Sequence, residues 1–137
     1  MGANDAVMQE FRAAMESSDM GQLSRILRAA STDDFVQEWP QSGERIVGRE
    51  AAIKLDEAYE AATGTSPKMT YRRMLGGGDV YVVEGTIDYG DGTPVSYVGV
   101  AEFRDGKVFK ITEYFANPFP APEWRAGFVE RMDPVGV

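Results

Sequence analysis

The stretch VYVVEGTIDYGDGTPVSYVGVAEFRDGKVFKITEYFAN, residues 80–117, decides the fold of this chain. It contains three runs rich in Val, Ile, Tyr and Phe, which are separated by the turn-forming sequences GDGT and DG. Runs of this composition between such turns are typical of antiparallel β-strands. Asp105-Gly106 also suits the positive φ angles of a type I′ turn, which is a strong hairpin signal. The stretch therefore predicts three long antiparallel strands, with a tight hairpin joining the last two.

The tight hairpin predicts which side chains share a face of the sheet. If Asp105 and Gly106 are its two loop residues, Phe103 faces Val108 and Val98 faces Glu113. Side chains alternate between the two faces along a strand, so two sets follow. One set is Val98, Val100, Glu102, Phe109, Ile111, Glu113 and Phe115, and the other is Tyr97, Gly99, Ala101, Phe103, Val108, Lys110, Thr112 and Tyr114. Both sets are largely apolar, which predicts a curved sheet with helices inside the curve and a partner subunit or the C-terminal segment outside it.

Three helices are predicted before the central strands. Apolar residues recur at helical spacing over 6–17, after the N-cap residue Asp19, and over 48–63. Gly64 stands just past the third helix, where a left-handed residue commonly ends a helix.

Two further strands and one short helix complete the pattern. The segments DFVQEW (34–39) and KMTYRRML (68–75) predict strands, whereas PQSGERIVG (40–48) predicts a loop. A short helix near the C-terminus carries Trp124 and Phe128 on one side. The order α-α-β-α-β-β-β-β-α indicates an α+β fold, with helices on one side of an antiparallel sheet.

Composition excludes several classes of protein. The 137 residues predict one domain, residues 1–137, which buries roughly 65–70% of its unfolded surface. The chain has no Cys and no His, which excludes disulfides, thiolate metal sites and the commonest general base. We therefore predict no metal and no cofactor. The net charge of −8 argues against nucleic-acid binding, which needs a basic surface.

Hydropathy predicts no membrane partner. No apolar run approaches the ~18 residues of a membrane span, and the N-terminal residues lack a signal-peptide pattern. We therefore expect a cytoplasmic location.

Two phrases resemble a known superfamily: DDFVQEWPQSGERIVGREAAI (33–53) and AEFRDGKVFKITEYFANP (101–118). Together with the element order, they resemble the nuclear-transport-factor-2-like superfamily, specifically its SnoaL-like (polyketide-cyclase-like) branch, from about Met8 to Asn117. The resemblance implies a cone, in which a strongly bent sheet wraps the N-terminal helices and leaves a pocket open at one end. Members include ketosteroid isomerases, polyketide cyclases, scytalone dehydratases, limonene-epoxide hydrolases and many proteins that only bind, so the fold does not settle the function.

The resemblance carries over onto few catalytic positions. Glu113 and Asp88 look like the two carboxylates of the limonene-epoxide hydrolases, but Thr86 stands where that family has its arginine. Trp39, before Pro40, stands where ketosteroid isomerases have their base, and the His of the dehydratases is absent. No known catalytic set is complete.

Carboxylates on the predicted apolar strands are the candidate catalytic groups. On an apolar face, Glu113 would have its pKa raised by desolvation and could serve as an acid or base; alternatively it pairs with Arg72 or Arg73. Asp88, or Glu84 on the same face, could orient water or substrate, although Asp88 could also cap the loop.

Aromatic and apolar residues are the candidates for substrate binding. The set is Trp39, Tyr59, Tyr71, Val98, Val100, Phe115 and Trp124, with Glu84 as its polar member. The same aromatic residues could simply pack in the core or form a lid. If they line a pocket, it suits a flat or lipophilic ligand.

Two functions from different classes remain open. The first is a small cyclase, isomerase or hydrolase that uses carboxylate acid–base chemistry on a lipophilic substrate. The second is a non-catalytic domain that binds a lipophilic ligand or a partner chain. With either function, we expect a homodimer through the outer sheet face, formed by Tyr97, Phe103 and Tyr114.

Overall fold

The computed structural model describes residues 2–132. In this range two α-helices precede two strands, and a third α-helix is followed by four more strands and a short 3₁₀ helix. The predicted domain 1–137 also includes Met1 and residues 133–137, which lie outside the described residues. The elements are α1 (Ala3–Glu16), α2 (Met20–Ala30), β1 (Ser31–Trp39), β2 (Glu44–Val47), α3 (Arg49–Thr63), β3 (Lys68–Gly77), β4 (Val80–Asp88), β5 (Val95–Arg104), β6 (Lys107–Ala116) and a 3₁₀ helix (Glu123–Phe128).

The six strands form one curved, unclosed sheet in the order β2-β1-β6-β5-β4-β3. Neighbouring strands run antiparallel, except that β1 runs parallel to β6. The three helices pack against the inner face of the sheet, through contacts of α1 with β3 and of α2 and α3 with β1. The predicted α+β class, with N-terminal helices inside a curved sheet, is confirmed.

The hydrophobic core lies between the helices and this inner face. Met8 and Phe11 of α1 and Ile53 of α3 are buried against strand residues such as Phe35 and Val108. Phe35 is 1% exposed and Val108 is 0% exposed. These side chains therefore lie in the interior, between the helices and the sheet.

Local signals placed the start of α2 and the end of α3 correctly. The Asp19 carboxylate accepts the backbone N–H of Gln22 at 2.9 Å, which is the N-cap predicted for α2. Gly64 has a φ of 70° and ends α3, as predicted. α1 begins at Ala3, three residues earlier than the apolar spacing predicted.

The predicted loop 40–48 contains a strand. Residues Glu44–Val47 form β2, which pairs antiparallel with the end of β1, from Val36 opposite Val47 to Trp39 opposite Glu44. Four residues are too short a run to show periodicity, and the flanking Pro40 and Gly43 indicated a loop. The predicted C-terminal helix is a 3₁₀ helix of six residues.

A β-bulge corrects the predicted register of the last hairpin. Asp105 and Gly106 have φ angles of 52° and 80°, which fits the predicted type I′ turn, and Phe103 pairs with Val108 as expected. Glu102 then pairs with Lys110, so Phe109 is an extra residue on β6. Every later pair is shifted by one.

The shift exchanges the two faces of β5 relative to β6. Gly99, rather than Val98, lies opposite Glu113. Tyr97, Gly99 and Ala101 therefore share the inner face with Glu113, while Val98 and Val100 lie on the outer face.

Candidate active site

A cavity of about 610 Å³ lies between the inner face of the sheet and the three helices. Its volume falls within the range of ordinary small-molecule pockets. Most of its lining is apolar, from methionines of α1 and α2 and aromatic residues of the strands. Its polar groups are therefore few and easily identified.

Glu113 is the most highly connected polar group in the cavity. Its Oε1 accepts hydrogen bonds from Gln37 Nε2 and from Trp39 Nε1, the latter at 3.0 Å. Its Oε2 accepts the Tyr97 hydroxyl at 2.5 Å. Because both oxygens accept bonds from fixed side chains, the carboxylate is held in one orientation.

The parallel pairing of β1 with β6 brings two of the three donors, Gln37 and Trp39, to Glu113. Gln37 is opposite Ile111 and Glu38 is opposite Thr112. Gln37 and Trp39 thus lie on the cavity face of β1, while Glu38 between them points outward to Lys110 at 2.7 Å. Because side chains alternate along β1, the hydrogen bonds of Gln37 and Trp39 to Glu113 lie in the cavity, and the ion pair of Glu38 with Lys110 lies outside it.

Gly99 makes room for the Tyr97 hydroxyl. A Cβ atom on Gly99 would lie 2.3 Å from the Tyr97 hydroxyl oxygen, closer than any side chain permits. The Tyr97 ring lies over Gly99. It also packs beside Phe115, and the centroids of the Tyr97 and Phe115 rings are 5.4 Å apart. Burial and then the charge of Glu113 raise the pKa of Tyr97 well above its ordinary value, so this hydroxyl keeps its proton.

Asp56 of α3 is a second carboxyl group on the cavity, and it is not among the site residues predicted from the sequence. It is half-buried, and no described residue donates a hydrogen bond to it. Burial raises the pKa of Asp56 from 3.8 to about 7, and the charges of Glu113 and Glu57 add to the rise. A carboxyl group with this pKa can both accept and donate a proton at neutral pH.

The sequence did contain a signal for Asp56. It stands four residues after Ala52 and three before Tyr59, which places all three on one side of α3. Ala52 is buried and Tyr59 lines the cavity. A charged residue between two inward-facing positions of a helix is a candidate for a buried titratable group.

Five of the predicted site residues do line the cavity. They are Trp39, Tyr59, Tyr71, Glu113 and Phe115. Burial, the largest cause, raises the pKa of Tyr71 above its ordinary value, so its hydroxyl is also protonated at neutral pH.

The other predicted residues lie elsewhere. The bulge turns Val98 and Val100 to the outer face, as described above. Glu84 also faces outward, where the hydrogen bond and charge of Arg73, at 2.8 Å, hold its pKa below the ordinary value. Trp124 is 78% exposed on the 3₁₀ helix and does not reach the cavity.

Asp88 caps a loop rather than facing the cavity. Its Oδ1 accepts the backbone N–H groups of Gly90 at 2.7 Å and Gly92 at 3.1 Å. These bonds lower the pKa of Asp88, so the carboxylate is charged. It is engaged by the loop at the end of β4 and does not face the cavity. Of the two roles considered for Asp88, orienting a substrate or capping the loop, the geometry fits the capping role.

Within residues 2–132, no three acidic side chains lie close enough together to hold a metal ion. No helix in the same range is long and apolar enough to cross a membrane.

The family model described as a SnoaL-like domain matches residues 8–114, which is most of the chain. The chain belongs to this SnoaL-like family, within the nuclear-transport-factor-2-like superfamily, as the sequence resemblance predicted. No curated protein matches the chain.

Solved structures with the same fold cover nearly the whole chain. An NTF2-like protein of unknown function from Burkholderia xenovorans is 31% identical over 96% of both chains, with a TM-score of 0.74. A protein from Kribbella flavida, provisionally named a ketosteroid isomerase, is 23% identical over 96% of this chain and 91% of its own, with a TM-score of 0.79. A protein from Sinorhizobium meliloti, provisionally named a polyketide cyclase, is 20% identical over 82% of this chain and 99% of its own, with a TM-score of 0.62. At these last two identities the likeness is one of fold alone.

Proposed function

We propose that this protein is an enzyme that moves a proton within a small lipophilic substrate, as an isomerase or cyclase does. The observation that carries the proposal is the pair of carboxyl groups in one apolar cavity. Glu113 is fixed by three donors, whereas Asp56 has no described hydrogen-bond partner and a pKa raised to about 7. The two carboxyl groups are thus suited to different tasks.

Asp56 is the proposed acid and base. In its ionised form it takes a proton from the substrate, and in its protonated form it returns that proton to another atom of the same molecule. The nearby charge of Glu113 contributes to the raised pKa of Asp56, which makes Asp56 a stronger base than an ordinary aspartate. This assignment moves the proton-transfer role from Glu113, where the sequence pattern put it, to Asp56.

Hydrogen–deuterium exchange tests the proposal without knowledge of the natural substrate. A panel of bicyclic aromatic ketones, such as tetralones, is incubated with the protein in deuterated buffer, and loss of the protons next to the carbonyl is followed by NMR. We expect exchange faster than in buffer alone, a loss of at least tenfold in Asp56→Asn, and no change in Glu10→Gln. Glu10 is an exposed acid of α1, so this variant removes the same charge away from the cavity.

A non-catalytic binding protein is the second candidate. The observation that favours it is that no Lys or Arg of the described chain lines the cavity, so the carboxylate and arginine set of the limonene-epoxide hydrolases cannot be assembled there. Ketones that bind with unchanged affinity to wild type and Asp56→Asn, and that do not exchange with either, identify this function.

We also propose that two copies pair through the outer sheet face. Tyr114 is 47% exposed there, beside the half-buried Val98 and Val100. Tyr97 and Phe103, which the predicted register placed on this face, are buried on the inner one. We expect a dimer by sedimentation at micromolar concentration and a monomer for Tyr114→Lys; a monomeric wild type contradicts the pairing.

A further inference from the structure

Glu113 differs from the ion-paired glutamates of the sheet because its partners are all neutral. Glu38 contacts Arg45 at 2.6 Å and Lys110 at 2.7 Å, and Glu84 contacts Arg73 at 2.8 Å. Glu113 receives its hydrogen bonds from an amide, an indole and a phenol, and no Lys or Arg within residues 2–132 forms an ion pair with it.

This charge lies where an uncompensated charge is costly. Glu113 is half-buried in a cavity whose lining is mostly apolar, and charges removed from water are ordinarily paired. Its two oxygens have about four acceptor sites, of which three are occupied. One site remains for a donor that enters the cavity.

The nearby cations are engaged elsewhere. The Arg12 guanidinium lies 5.1 Å from the centre of the Tyr71 ring and bonds Glu16 at 2.8 Å, and Arg12 does not line the cavity. Arg25 and Arg28 line a separate groove on the other side of Asp56, where Arg25 bonds Gln22. The interior of the cavity is therefore negative.

Aromatic rings complete an environment that favours a cation. The cavity is lined by Trp39, Tyr59, Tyr71, Tyr89, Tyr97 and Phe115. The rings of Tyr59 and Tyr89 are inclined at 60° with their centroids 6.0 Å apart. Electron-rich ring faces attract ammonium groups, most strongly when water is excluded, and the methionines beside them suit an apolar body.

We propose that the cavity selects lipophilic molecules that carry a protonated amine, with Glu113 as the counter-ion of the ammonium group. The inference rests on the proposed function, since it names the substrate class for the same cavity. Asp56 remains available for proton transfer at another position of the bound molecule. Lipophilic carboxylic acids of the same shape are excluded, because their charge would meet that of Glu113 at low effective dielectric.

Three ligands with one skeleton test the selection: naphthylmethylamine, naphthylmethanol and naphthoic acid, each as the same positional isomer. Binding is measured by isothermal titration calorimetry near neutral pH, where the amine and the acid are both charged. We expect the amine to bind at least about tenfold more tightly than the alcohol, and the acid at least about tenfold more weakly than the alcohol, which corresponds to about 1.4 kcal/mol for each step.

Two variants locate the counter-ion. In Glu113→Gln, we expect the amine to lose its advantage over the alcohol, while the affinity for the alcohol changes less than threefold. In Glu10→Gln, which removes an exposed charge of α1 that does not line the cavity, the order of the three ligands stays the same. If Glu113→Gln does not fold, the comparison of the three ligands on the wild type still decides the selection.

Several results overturn the inference: no binding of any of the three, an acid that binds as tightly as the alcohol, an amine without advantage, or an advantage that survives in folded Glu113→Gln. These binding results are distinct from a failure of the proposed function. That failure would be seen as ketone exchange that is absent, or that Asp56→Asn does not change. A cavity that exchanges ketones but binds amine and alcohol equally keeps the function and refutes the selection.

Discussion

Replacing Asp56 by Asn should stabilise this protein at high pH, although it removes a charged side chain from a helix. Folding raises the pKa of Asp56 from 3.8 to about 7, mainly because the carboxyl group is buried. The folded state therefore binds the Asp56 proton more tightly than the unfolded state does. The native carboxyl costs nothing below the unfolded pKa, and its cost grows as pH rises and is complete above the folded pKa.

The magnitude follows from the size of the rise. A change from 3.8 to about 7 corresponds to about 4 kcal/mol, at about 1.4 kcal/mol for each tenfold change in acidity. Asp56 keeps part of its surface in water, which weakens the penalty, so we expect Asp56→Asn to gain about 2 kcal/mol at about pH 8.5. At about pH 3.5 the acid is mostly protonated in both states, and the variant should lie within about 0.5 kcal/mol of the wild type.

Urea unfolding at these two pH values measures the difference. Glu10→Gln serves as the control, because it removes an exposed helical carboxylate and should change stability equally little at both. A loss of stability in Asp56→Asn that is larger at high pH than at low pH would refute the reasoning. It would mean that the Asp56 charge is stabilised in the folded state, and the proposed acid–base role would lose its physical basis.

Three further substitutions test the structure around the site. Gly99→Ala should cost about 1–3 kcal/mol in urea unfolding, because its methyl group displaces the Tyr97 hydroxyl from Glu113; Gly127→Ala, with open space around it, should cost much less. Tyr97→Phe keeps the ring and removes the donor, so we expect a loss of about 1–2 kcal/mol in the same assay, and an unchanged stability would show that the bond contributes nothing net. Asp19→Ala should lower the stability by about 1 kcal/mol in thermal unfolding, and Asp19→Asn should restore it; equal losses in both would contradict the capping role.

The features that the sequence predicted well are those that local chemistry determines. The N-cap of α2 at Asp19 and the end of α3 at Gly64 depend on residues within one helical turn. The hairpin at Asp105-Gly106 depends on two residues that tolerate positive φ. In each case the residues that determine the feature are the residues that form it.

The features that were missed depend on distant parts of the chain. Two of the three donors of Glu113 reach it from β1, through pairing between segments more than 70 positions apart in sequence. Asp56 becomes a cavity residue because α3 packs against β1 with this side inward. Periodicity identified the helix but did not fix its rotation to within one residue.

The bulge at Phe109 shows why candidate sites in this fold cannot be transferred along the sequence without the register. Without the extra residue, Val98 would face Glu113, and a branched side chain would occupy the space above the carboxylate. With it, Gly99 takes that position and leaves room for the Tyr97 hydroxyl to bond Glu113. Both arrangements have an apolar β5 and a carboxylate on β6, so they have the same sequence signature. Only one of them holds the carboxylate through a phenol. The chemistry of this cavity therefore depends on one unpaired residue, Phe109, which would otherwise pair with Glu102.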